Sequence, residues 1–223
     1  MILGFIGTGK IASSVITGIY NSKIKYKKIL ISSRNRIISS RLKKKFKKIF
    51  IIKNNQEIID KSEWIFLAVT PNVGKKIIKD LKFRTNQTVI SFISTINLPA
   101  LKKMIKVKST IVRAIPLPPI SLKKGPVPIC PPNKKVKSFF DKIGSTIEIK
   151  NEKLSINFWS TSGMMASYYD LLKTMTNWLV KKGIKRQDAQ KYITSLFLAL
   201  SEDAVVNSKK DLKFLVKESQ TPK

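Results

Sequence analysis

Histidine is absent from all 223 residues, and cysteine occurs once, as Cys130. The first absence excludes every mechanism built on imidazole, from a Ser-His-Asp triad to a His-ligated metal. The second excludes an intramolecular disulfide and a cysteine-based zinc site. Acidic side chains are scarce: 13 Asp and Glu stand against 44 Lys and Arg, a formal net charge of +31. Long apolar runs are missing too. The longest clean one, Trp64 to Val69, is far too short to span a bilayer. Met1 runs directly into a strand-like segment with no basic leader, so no signal peptide is expected. The expectation is a soluble, cytoplasmic, metal-free protein without a membrane partner, whose 43% of apolar residues suffice for a real core.

The positive charge suggests nucleic acid, because Lys and Arg gain affinity by releasing counterions from phosphates. Its make-up argues otherwise. Only six of the 44 basic residues are arginine, the side chain suited to bidentate phosphate and base contacts, while isoleucine reaches 32. Lys and Ile excess of this kind fits coding drift in an AT-rich genome. The densest run, Arg41 to Lys48, sits on a helical apolar stripe of Ile38, Leu42, Phe46 and Ile49, so it reads as a solvated helix face. Its one aromatic, Phe46, belongs to that stripe, so the aromatic interleaving that single-strand binders use is absent. No specific nucleic-acid partner is expected.

Residues 1 to 150 alternate short β-rich runs with amphipathic segments. The predicted strands are 2–6, 29–32, 49–52, 64–69, 88–92, 110–114, 127–130 and 146–149. The predicted helices are 10–22, 35–47, 55–61, 73–81 and 98–106. Such alternation implies a mostly parallel sheet with helices on both faces. Residues 115–132 hold seven of the ten prolines and read as extended loop around one short strand. From 151 to 223 the texture is helical only. Met164, Tyr168, Leu171, Met175 and Trp178 step by four and three, an a/d seam, and Ile193, Leu196, Phe197 and Leu200 continue the theme beyond a C-capping Gly183. So few helices cannot bury that much apolar surface alone, and packing against a second subunit is expected; packing on the first domain is the alternative. The fold class is therefore α/β: a domain with a mostly parallel sheet, 1–150, followed by a small all-helical domain, 151–223, expected to dimerise.

The chemistry begins at the start of the chain, in Ile2-Leu3-Gly4-Phe5-Ile6-Gly7-Thr8-Gly9-Lys10-Ile11-Ala12. A buried strand runs into Gly7-x-Gly9-x-x-Ala12 and then a helix. The first glycine permits the tight turn, the second lets backbone approach a pyrophosphate, and Ala12 allows helix to pack closely on strand. The helix N-terminus offers free N–H groups to the phosphates, so Gly7, Thr8, Gly9, Lys10, Ile11 and Ala12 are the expected cofactor loop. The second strand ends in Ile31-Ser32-Ser33-Arg34-Asn35-Arg36, with no carboxylate where an NAD site places one for the ribose 2′-hydroxyl. Ser33 and Arg34, with Arg36 as a second contact, suit a 2′-phosphate instead, so NADP(H) is expected over NAD(H). Asn54 or Asn55 could bound the adenosine side, or be an ordinary turn residue. Ala68-Val69-Thr70-Pro71 ends the fourth strand where a nicotinamide ribose would lie, and Ser94-Thr95 follows the fifth. Cys130, among Pro, Val and Ile, reads as inert packing.

Together these segments resemble the pyrroline-5-carboxylate reductase family, which reduces a cyclic imine to proline with NAD(P)H. The resemblance runs through Gly4-Phe5-Ile6-Gly7-Thr8-Gly9, Ala68-Val69-Thr70-Pro71, Val89-Ile90-Ser91, Val112-Arg113-Ala114-Ile115-Pro116 and the helical region from Ser162-Gly163. It implies a Rossmann-type domain followed by a helical domain that dimerises and completes the site from two chains, acting on a small-molecule imine. Ser162 and Thr221 are the substrate contacts it implies; it assigns no catalytic residue. There are departures. The family's Met-Pro-Asn-Thr-Pro is replaced by Ile115-Pro116-Leu117-Pro118-Pro119, and its substrate loop Ser-Pro-Gly-Gly-Thr-Thr is reached only as Thr221-Pro222-Lys223. The expectation is a divergent, C-terminally truncated relative that reduces 1-pyrroline-5-carboxylate, with a catalytically impaired NADP-binding dimer as the alternative.

Overall fold

The computed structural model describes residues 1–220. Its centre is one eight-stranded sheet of β1 (Ile2–Ile6), β2 (Lys28–Ser32), β3 (Ile49–Ile52), β4 (Trp64–Leu67), β5 (Thr88–Ser91), β6 (Thr110–Ala114), β7 (Pro126–Cys130) and β8 (Ser145–Glu148). The spatial order is β3-β2-β1-β4-β5-β6-β7-β8, and every neighbouring pair is parallel except β6 and β7. The helices of this part are α1 (Lys10–Tyr20), α2 (Arg36–Lys45), α3 (Asn55–Lys61), α4 (Pro71–Ile77), α5 (Leu98–Ile105), α6 (Lys134–Phe140) and α7 (Glu152–Thr161). The expected α/β class and the Rossmann-type sheet are what the chain forms.

Alternation along each strand divides the core in two. Leu3, Phe5, Ile29, Ile31, Phe66, Ile90 and Val112 belong to one buried cluster; Ile6, Leu30, Ile65, Leu67, Val89 and Ile111 belong to the other. Successive strand side chains point to opposite faces, so a strand buried on both sides needs apolar residues at most positions, and the middles of these strands have them. Phe5 stacks on Phe66 with ring centroids 4.3 Å apart, and Phe139 from α6 lies 5.8 Å from Phe66 on the same face.

The structure moves several predicted boundaries. The helix expected at 35–47 ends at Lys45 because Phe46 turns extended, and its side chain is buried beside Leu42. That expected at 73–81 starts earlier, with Pro71 at its first position where a missing N–H is harmless, and finishes as a 3-10 turn over Ile78–Asp80. The proline-rich stretch contains a 3-10 turn at Pro118–Leu122 as well as β7. Helix α6 was not anticipated.

The chain divides into two compact units, Met1–Ser160 and a second from Thr161 onward. Most of α7 thus belongs to the first unit, held there by contacts of Glu152 and Trp159 with Arg113 of β6. In the second unit α8 (Met165–Lys181) and α9 (Arg186–Val206) pair, with Tyr168 against Phe197 at 5.9 Å, and α10 (Lys213–Glu218) follows. Gly183, at φ +91°, ends α8: its N–H donates to the Val180 carbonyl and that of Ile184 to the Leu179 carbonyl, a Schellman closure. No helix among the described residues is long and apolar enough to cross a membrane.

Candidate functional site

In an open parallel sheet, the crevice lies outside the carboxyl ends of the strands, where the order reverses direction. Here that place is between β1 and β4. A cleft of about 620 Å³ opens there, lined by Gly7, Thr8 and Gly9 after β1, by residues 34–37 after β2, and by residues 68–70 after β4.

The glycine loop is built by close approach. Gly7 adopts φ +102°, and a Cβ on it would sit 2.4 Å from the Ala68 carbonyl oxygen, so only glycine fits between β1 and β4. Its N–H donates to Ser32 Oγ at 2.9 Å, and Thr8 Oγ1 donates to the Ser32 carbonyl at 3.2 Å. These two bonds tie the loop to the end of β2. Gly9 is the N-cap of α1 and brings no side chain to it; the space a Cβ would enter is empty. The first turn of α1 carries no acid, so its N–H groups and the helix dipole face the cleft uncompensated. Ala12 is fully buried and lets α1 lie close on the sheet.

At the end of β2, Arg34 and Arg36 stand exposed on the cleft wall with no carboxylate among the lining residues. Asn35 caps α2 through its side-chain oxygen, which accepts from the Ile38 N–H at 3.1 Å. Ile37 presents a side chain 82% exposed, an apolar surface beside two guanidinium groups. The Ala68 N–H donates to the Ile6 carbonyl at 2.8 Å, which fixes the far wall, and Thr70 N-caps α4.

Of the residues expected from sequence, Gly7, Thr8, Gly9, Arg34, Ala68, Val69 and Thr70 converge on this cleft. Lys10, Ile11 and Ala12 form the first turn of α1 behind it, and Pro71 starts α4. Ser33 is half-buried outside the lining; the neighbouring Ser32 turns inward and bonds to Gly7. Asn54 is the N-cap of α3, accepting from the Gln56 N–H at 2.8 Å, and Asn55 is the first residue of that helix, outside the lining. Ser162 lies in a 3-10 turn of the second unit, and Thr221 lies outside the described residues. Sequence reasoning missed Asn35 and Ile37 as wall residues, and Ser32 as the tie between the glycine loop and β2. It also missed Arg113, whose signal was a lone charge inside an apolar strand.

Cys130 is 2% exposed in β7. Burial pushes its thiol up, the Glu152 carboxylate adds to this and Arg113 opposes it, so the group stays protonated and unreactive. Among the described residues no three His, Cys, Asp or Glu side chains come together in a way that could hold a metal ion.

The cleft geometry fits a dinucleotide diphosphate across Gly7–Gly9 and an anionic group near Arg34. Residues 2–95 match the family model described as NADP oxidoreductase, coenzyme F420-dependent. Pyrroline-5-carboxylate reductase 3 of Danio rerio is 28% identical over 126 residues, 55% of this chain and 43% of that protein. The pyrroline-5-carboxylate reductase of Synechocystis is 26% identical over 211 residues, 90% of this chain and 78% of that protein. The chain is thus similar to pyrroline-5-carboxylate reductases along most of its length. Its fold agrees: the Plasmodium falciparum enzyme with NADP bound superposes with a TM-score of 0.83 at 22% identity, over all of this chain and 85% of the other. The Streptococcus pyogenes enzyme does so with a TM-score of 0.80 at 22% identity, over all of this chain and 86% of that one.

Proposed function

We propose that the chain is an NADPH-dependent imine reductase that converts 1-pyrroline-5-carboxylate to proline and works as a homodimer or higher homo-oligomer. The observation that carries this reading is the cleft itself: a glycine turn that only glycine can make, a helix N-terminus with no side-chain cap, and two arginines with no acid among the lining residues. Similarity to pyrroline-5-carboxylate reductases supports both the reaction and the substrate.

NADPH, when bound, would supply the hydride for the imine carbon, with the C=N electron pair passing to a nitrogen that is protonated by solvent or already protonated, giving amine and NADP⁺. The protein's part in this is positioning. Backbone N–H groups of the Gly7–Gly9 loop and α1 would hold the pyrophosphate, Arg34 and Arg36 would hold the 2′-phosphate, and Ala68–Thr70 would border the nicotinamide ribose. A protonated imine is already electrophilic, so no imidazole is required, which suits a chain without histidine. Correct placement alone contributes on the order of 7–11 kcal/mol to such a step when the geometry is ideal. Ser162 is the proposed substrate contact within the described residues.

Oligomerisation is supported by the second unit's apolar surface. Met164, Leu171 and Trp178 of the expected seam are 66%, 47% and 58% exposed in the single chain. Helices with such a face normally bury it against another element.

The test is direct. Purified protein with 1-pyrroline-5-carboxylate should consume NADPH and form proline in equal amounts. Tight NADPH binding with no consumption would instead identify a cofactor-binding dimer that has lost the reaction.

A further inference from the structure

Arg113 is the one arginine in a strand. It lies on β6 between buried neighbours and is 3% exposed. Its guanidinium bonds to Glu152 Oε1 at the start of α7 and to the Ser94 carbonyl in the loop after β5. It also stacks over the Trp159 ring with 4.2 Å to the centroid, while its Nε and the Trp159 Nε1 have no partner. Burying a charge this fully is expensive, and an apolar residue of similar volume would serve packing as well. What an apolar residue could not do is hold a backbone carbonyl of a loop.

That loop leads to the cleft. The Phe92 N–H donates to the Leu67 carbonyl at 2.9 Å, so the loop leaves the sheet beside Ala68. Ile93 and Ile96 are buried against α4 at Gly74, where an added Cβ would meet their Cδ1 atoms at 2.8 and 3.3 Å. Helix α4 starts at Pro71, capped by Thr70, and Thr70 lines the cleft. Glu152 Oε1 secures the other end of the same loop by accepting the Leu98 N–H at 2.8 Å.

We infer that the Arg113–Glu152 pair is a positioning device: through Ser94, Ile93 and Ile96 it sets α4 and the Ala68–Thr70 wall, and so the nicotinamide end of the cofactor cleft, without touching the cofactor. The inference rests on the reading of that cleft as an NADPH site. It goes beyond that reading in making one half of the site depend on the pair and the other half independent of it. The adenosine half, built on Gly7–Gly9 and residues 34–37, shares no bond with Arg113, Glu152 or Ser94.

The experiment compares two ligands on three proteins. NADPH spans both halves, whereas 2′,5′-ADP fills only the adenosine half. Wild type, Glu152→Gln and Arg113→Lys are titrated with each by calorimetry. The Gln variant keeps the shape and an acceptor for Leu98, so it remains informative if the buried lysine prevents folding. Both variants should bind NADPH tenfold or more weakly, in line with the sensitivity of catalysis to displaced groups, and bind 2′,5′-ADP within about twofold of wild type. NADPH affinity left unchanged in Glu152→Gln, or both ligands weakened together, overturns the inference. Failure of wild type to bind 2′,5′-ADP at all overturns the cofactor reading itself, and the inference with it.

Discussion

At the scale of single residues, two side chains decide what the cleft can hold, one by having no Cβ and one by its charge. Gly7→Ala puts a methyl group 2.4 Å from the Ala68 carbonyl at φ +102°. Strain and overlap together should lower stability by about 2 kcal/mol or more and abolish NADPH binding. Denaturant titration checks the first and calorimetry the second; a variant with an unshifted midpoint would contradict the assignment of Gly7 as the enforced close approach. Arg34→Ala would remove the proposed charge-assisted bond to the 2′-phosphate, a contact of about 1.5–3 kcal/mol, so NADPH affinity should fall about ten- to hundredfold while NADH affinity changes little. Equal loss for both cofactors would remove Arg34 from the phosphate site. Much of this was legible in the sequence, since Gly7-x-Gly9 after a strand and Arg34 in place of a carboxylate are local patterns. Ser32 was not. Whether the serine at 32 or its neighbour at 33 faces Gly7 depends on the phase of strand alternation, which is set by pairing with β1.

At the scale of elements, the strands were the most legible part. Runs of Ile, Val, Leu and Phe between turn residues placed all eight strands within about two residues of their observed ends, and most clearly the central ones, which are buried on both faces and have little polar phase to confuse. Helix α6 escaped notice for the opposite reason. Its apolar positions Val136, Phe139 and Phe140 are interleaved with Lys134, Lys135 and Lys137, and it is short and follows directly on the proline-rich stretch 115–132. It is also where pH acts on the fold. Lys137 and Asp141 bond at 2.5 Å across one turn, and Asp141 also accepts from the Thr146 N–H at 3.2 Å. Burial works against the Asp141 carboxylate, but the bonds from Lys137 and Thr146 outweigh it and lower its pKa below the usual 3.8. A lowered folded-state value means its contribution is present above the unfolded pKa and is lost as pH falls through the folded one. Asp141→Asn should therefore reduce stability at neutral pH and leave it unchanged well below pH 3, as read from thermal midpoints across pH. An equal loss at both pH values would remove the carboxylate's charge from the account. In the helical unit, Gly183→Ala should destabilise by about 1 kcal/mol, because the Schellman closure needs its positive φ.

At the scale of the whole molecule, the charge of +31 and the exposed apolar helix face concern partners rather than fold. The run from Arg41 to Lys48 lies largely on α2, with Leu42 and Phe46 buried under it and Lys43, Lys44 and Lys45 in solvent. Retention on DNA should disappear by modest salt and show no sequence preference, as pure counterion release requires. The seam of Met164, Leu171 and Trp178 calls for a second copy, and light scattering at micromolar concentration should give twice the chain's 25.3 kDa or a multiple of it. A monomer there would contradict the proposed assembly. Everything else in the account depends on what the cleft between β1 and β4 holds. Calorimetric titration of the wild-type protein with NADPH and with NADH measures that most directly. NADPH should bind at least tenfold more tightly, the margin of one charge-assisted phosphate contact; equal affinities, or no binding of either, would contradict the account at its centre.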